Sequence, residues 1–158
     1  MKPVSLPRLI GYAIIALLLV GVIGMGVVIT GGTPLEVTPM IMVLELFLAL
    51  MLIWSGIHVK RYLAHRKTWV NALNALRIAV AARASAYVSS IVTGTLIALM
   101  LISMARIGAS AMVANAVISG LSAVAGIIWC VCAVIVERWC VIDADEDPEH
   151  HSPNVSPA

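Results

Sequence analysis

Glu45 is the residue of this chain whose type and position most strongly imply chemistry. It is the one acid in the body of an apolar run from Met40 to Val59. An ionisable side chain inside a segment of membrane length is costly to hold there, so it marks a proton or cation site, or half of an ion pair. At the α-helical rise it lies about 8–9 Å inside the start of its helix. That depth makes Arg106, at the end of the third apolar run, a better-placed partner than Arg83. Three readings follow: Glu45 is the coupling residue of a small transporter, one side of a structural ion pair with Arg106, or a shallow carboxyl reaching the outer interface.

Few other side chains suggest reactivity. Asn115, Ser119 and Ser122 fall within the fourth apolar run, where they either line a polar path or bond to neighbouring helices. Cys130 and Cys132 are two residues apart on one helix, hence on different faces, and with Cys140 they make neither a disulfide framework nor a metal site. Asp143, Asp145 and Asp147 match the first three ligands of a calcium loop. Pro148 stands where that loop needs Gly, however, and Asn154 where it needs Glu. His150 and His151 form only a weak ligand pair. No nucleophile elbow, H-E-x-x-H or phosphate-loop signature is present. The expectation is a protein that is not an enzyme, with no catalytic, cofactor-binding or metal-binding residues.

The elements that must hold Glu45 follow from composition. The chain has 158 residues, 61% hydrophobic and 11% charged, with a mean hydropathy of +1.04. A soluble domain carries about 25% charged residues, so the solvent this chain calls for is a lipid bilayer. Four apolar runs of spanning length are predicted, at about 9–29, 40–59, 84–104 and 112–136. Gly31, Gly32 and Pro34 break the chain after the first, and Pro39 can open the second. Residues 62–80 carry Trp69, Leu73, Leu76 and Val80 at helical spacing, with His65, Arg66, Lys67 and Asn71 on other faces. That pattern predicts a short amphipathic helix in the interface before the third span. Residues 1–8 form a short terminus, and residues 141–158, with five acids and three prolines, read as a disordered acidic tail. The fold expected is all-α, an integral membrane four-helix bundle.

Charge sets the orientation. Lys60, Arg61, Arg66, Lys67, Arg77 and Arg83 cluster between the second and third spans, and Lys2 and Arg8 precede the first. The other two loops carry one basic residue between them, Arg106. The positive-inside rule then places both termini and the central loop in the cytoplasm, in the cell membrane. Lipid headgroups account for the basic cluster, so nucleic acid is not an expected partner.

Small residues recur every fourth position along the third run: Ala82, Ala86, Ser90, Gly94 and Ala98. Ala81, Ser85, Ser89 and Thr93 form a second file beside them. Such files let another helix backbone approach closely. They fit packing within the chain, a homo-oligomer, or contact with another membrane protein.

With Arg77 to Ser85 (RIAVAARAS) and Val136 to Cys140 (VERWC) placed, the chain resembles an uncharacterised family of small actinobacterial membrane proteins with four predicted spans. The resemblance lies in the R-x-x-x-x-A-[KR]-A-S stretch entering span three and in the Glu137, Arg138 and Cys140 that close span four. It covers Asn71 to Cys140 and is weak in spans one and two. Arg83 stands where Lys is commoner, and Trp139 where a second Cys is more typical. The resemblance implies a four-span fold and no activity. The residues favour a non-enzymatic scaffold or accessory subunit, supported by the small-residue face of span three. The alternative is a small proton- or cation-coupled transporter using Glu45.

Overall fold

The structure, a computed structural model, describes residues 5–32, 35–63, 72–105 and 110–142. It contains four helices: α1 (Leu6–Ile29), α2 (Met40–Leu63), α3 (Ala72–Met104) and α4 (Ser110–Ile142). No strand occurs among the described residues. All four helices are long and apolar enough to cross a membrane.

Local chemistry explains where the helices begin and end. Pro7 sits in the first turn of α1, where its missing N–H costs no hydrogen bond. At the other end Gly31 adopts a left-handed φ of 83°. Gly31 N then donates to Val28 O (3.2 Å) and Gly32 N to Val27 O (2.9 Å). This pair of bonds ties off the last carbonyls of α1. Residues 35–38 are neither helix nor strand, and α2 opens after Pro39.

Contacts between distant residues fix the directions. Ser90 of α3 bonds to Leu9 of α1, and Gly94 abuts Ala13, so α1 and α3 are parallel. Gly126 of α4 lies beside Glu45 of α2 and Val136 beside Gly56, so α2 and α4 are parallel. Ser103 meets Asn115 and Thr93 meets Gly126, which makes α3 and α4 antiparallel. In space the order is α1, α3, α4, α2: α3 and α4 form the centre, α1 flanks α3, and α2 flanks α4 with little contact to α3. Half of each central span is buried within the protein, against 22% for α2 and 6% for α1. The core is rich in small residues, among them Ala49, Ala82, Ala86, Ala98, Ala123 and Ala133, while most of the exposed large apolar side chains are Leu, Ile and Val. That inversion suits a protein whose solvent is hydrocarbon.

Two boundaries differ from expectation. Ala72 to Val80, expected in a separate interfacial helix, forms the first part of α3, and residues 64–71 lie outside the described residues. No separate interfacial helix occurs among the described residues, because the helical pattern runs unbroken into the span. Val141 and Ile142, expected to open the tail, belong to α4. The rest of the acidic tail lies outside the described residues.

Candidate functional site

On α2, Glu45, Ala49, Leu52, Gly56 and Val59 recur at helical spacing and form the stripe turned toward α4. Glu45 is therefore carried inward by the same periodicity that buries Ala49, and it is 3% exposed. Opposite it stands Gly126. A β-carbon at Gly126 would lie 2.5 Å from Thr93 Oγ1 and 3.4 Å from Glu45 Oε1. The missing side chain thus lets a carboxylate from α2 and a hydroxyl from α3 reach the backbone of α4 together.

Polar atoms at this junction lack partners. Both carboxylate oxygens of Glu45, Thr93 Oγ1, Ser122 Oγ and Trp129 Nε1 are buried without a hydrogen bond, and these are all such side-chain atoms among the described residues. Ser122, Gly126 and Trp129 lie one turn apart on a single face of α4. Buried polar groups are nearly always bonded, so these orphans, two of them against Gly126 and two more on the α4 face one turn to either side of it, constitute a defined feature.

Other buried and half-buried hydroxyls in these helices behave differently. Ser55, Ser89, Thr95 and Ser119 each bond back to a carbonyl three or four residues earlier, at 2.7–3.1 Å. Thr93 and Ser122 do not. Their lone pairs and protons remain available at the junction. Glu45 has no ionic or hydrogen-bonding partner among the described residues. Among the same residues, no group of three His, Cys, Asp or Glu side chains is placed to hold a metal ion.

Above the junction the polar face of α4 continues through Ser119 to Asn115. Asn115 is buried and acts as a clamp. Its Oδ1 accepts from Val37 N (2.8 Å), and its Nδ2 donates to Ser103 Oγ (2.9 Å) and Leu35 O (3.3 Å). The segment before α2 is thereby drawn against α3 and α4, where Val37 packs with Leu96, Leu99 and Ala123. Glu45 consequently lies deeper than its place in α2 implies: Gly126, which faces it, is about 24 Å along α4 from Ser110 at 1.5 Å per residue.

The remaining predicted residues separate into groups. Ala82, Ala86, Ser90, Gly94 and Ala98 are all buried on α3. Ser90 Oγ donates to Leu9 O, Gly94 abuts Ala13 O, and Ala98 lines a groove with Leu17 and Gly21. Ser90, Gly94 and Ala98 of this file are therefore covered by α1, Ala86 packs between Leu9 and Ala133, and Thr93 of the second file serves α4. Lys60, Arg61 and Arg77 are exposed and Arg83 is half-buried, with Lys60 Nζ 5.0 Å above the Trp139 ring. Arg66, Lys67 and Arg106 lie outside the described residues. Sequence reasoning did not attach Thr93, Gly126 or Trp129 to Glu45. The spacing of Ser122, Gly126 and Trp129 was the available signal, although it names no partner helix.

No curated protein and no solved structure matches this chain. The model of the family described as "Protein of unknown function (DUF3180)" matches residues 9–144. That match spans all four helices and the whole junction around Glu45, and the chain belongs to this family.

Proposed function

We propose that this chain is a multi-pass protein of the cytoplasmic membrane that takes up and releases a proton or a small monovalent cation at Glu45, as a small ion-coupled transporter. The observation that carries this reading is a carboxylate 3% exposed, without a partner among the described residues, at the meeting of three helices. A carboxylate so placed is neutralised by a proton or a bound cation, because an isolated buried charge is far too costly. Asn115, Ser119 and Ser122 supply a polar file along α4 that leads toward Gly126, which faces that carboxylate. Lys2, Arg8 and the basic cluster from Lys60 to Arg83 orient both termini toward the cytoplasm.

A non-enzymatic scaffold or accessory subunit is the second reading. The small-residue face of α3 that favoured it is covered by α1 within the chain. A partner would instead meet α1, which buries only 6% of its span. Reconstitution in liposomes separates the two readings. Sodium or proton flux down an imposed gradient is expected for the wild type and lost in Glu45→Gln. Flux equal to that of empty liposomes in both overturns transport. Stoichiometric recovery of a second membrane protein whose activity needs this chain but ignores Glu45→Gln would select the accessory role.

A further inference from the structure

We infer that the junction is a sodium site, in which Glu45, Thr93 and Ser122 supply the oxygen ligands and Trp129 braces the carboxylate. This rests on the reading of Glu45 as an ion-exchanging group and names the ion. Four observations carry it.

The first is charge. One carboxylate balances one monovalent cation, so the loaded site is neutral and fit for hydrocarbon depth. With no second acid in the cluster, a divalent ion would leave an unbalanced charge among the described residues.

The second is donor chemistry. Carboxylate and hydroxyl oxygens are hard ligands suited to hard cations. Thr93 and Ser122 withhold the back-bonds that Ser89, Thr95 and Ser119 make, which leaves their oxygens free to coordinate.

The third is spacing. Thr93 Oγ1 and Glu45 Oε1 lie 2.5 and 3.4 Å from one point above Gly126, so they are at most about 5.9 Å apart. They make no hydrogen bond to each other. Sodium is close in size to calcium, whose oxygen ligands lie about 2.3–2.6 Å away, so two oxygens sharing such an ion stand up to about 5 Å apart. That limit admits a bridging ion of that size, whereas a proton shared between the two oxygens requires a hydrogen bond, which they do not make.

The fourth is Trp129. Its indole N–H can only donate. Trp129 packs with Ala49, one turn along α2 from Glu45, so this unpartnered donor suits the carboxylate rather than the cation.

The test is equilibrium binding of radioactive sodium to the purified full-length chain in detergent. One saturable sodium per chain is expected, competed by lithium but not by choline, and abolished in Glu45→Gln. Thr93→Val and Ser122→Ala are expected to raise the dissociation constant about tenfold each, equivalent to about 1.4 kcal/mol. Thr93→Ser keeps the hydroxyl and is expected to restore binding, which separates loss of a ligand from loss of fold. Absence of saturable sodium binding in a folded wild type overturns the sodium assignment, as does tighter binding of potassium. Proton flux that depends on Glu45 without sodium binding would overturn this inference and leave the transporter reading intact. Sodium binding without any flux would do the reverse.

Discussion

Gly94 of α3 lies directly against the main-chain carbonyl of Ala13 on α1, one turn beyond the point where Ser90 donates to Leu9 O. A β-carbon at Gly94 would fall on that carbonyl, and backbone cannot swing aside as a side chain can. Gly94→Ala is therefore expected to destabilise the protein by about 1–3 kcal/mol through overpacking. Ser90→Ala should cost less, about 0.6–1.7 kcal/mol, the range for a hydrogen bond between membrane helices. Thermal unfolding in detergent measures both. An unchanged midpoint for Gly94→Ala would show that the two helices are not in contact there.

Glu45→Gln removes a charge and breaks no ionic or hydrogen bond among the described residues. Its unfolding midpoint is expected to equal or exceed that of the wild type without added sodium. A loss of about 3–5 kcal/mol, the penalty for breaking a buried ion pair, would reveal a cationic side chain paired with Glu45.

Gly126 and Gly120 make a matched pair on α4. A β-carbon at Gly126 would meet Thr93 Oγ1 at 2.5 Å, whereas one at Gly120 would meet the flexible Met100 Sδ at 3.2 Å. Gly126→Ala is expected to abolish ion binding and to cost about 1–3 kcal/mol. Gly120→Ala should leave binding intact, because methionine readily repacks. Comparing the two by sodium binding and by unfolding checks this, and equal behaviour would argue against a site at Gly126.

Asn115 holds the leg before α2 through Val37 N and Leu35 O. Asn115→Leu leaves those groups unsatisfied and is expected to cost about 1–3 kcal/mol. The Val37 amide should then exchange its hydrogen much faster, while amides in the middle of α4 stay protected. Uniform protection in the variant would mean that the clamp does not hold the segment.

Orientation can be read chemically. In a variant with Cys130, Cys132 and Cys140 replaced by Ala, a single cysteine at Thr38 is expected to react with a membrane-impermeant maleimide applied to intact cells. One at Arg61 is expected to react only after lysis. The opposite pattern would reverse the topology that the basic residues imply.

Much of this protein is legible along its sequence. The bilayer as solvent, the number of helices and the breaks at Gly31, Gly32 and Pro39 depend on local composition and turn chemistry, which act over a few residues. So does the presence of one acid, Glu45, where hydrocarbon makes charge expensive. The small-residue files of α3 are equally plain, although they do not say what covers them.

Tertiary structure decided which faces meet. Ala13 and Leu9 cover one file of α3, and Gly126 receives Thr93 from the other. Asn115 holds Val37 beside the first part of α4, so Glu45, although close to the start of α2, faces Gly126 well along α4. Thr93 and Gly126 met Glu45, and Trp129 met Ala49, only through the register of three helices far apart in the chain. Local periodicity gives each helix a face but no partner. The register is chosen by close packing and by the few buried hydrogen bonds across helices, which exist only once the chain is assembled.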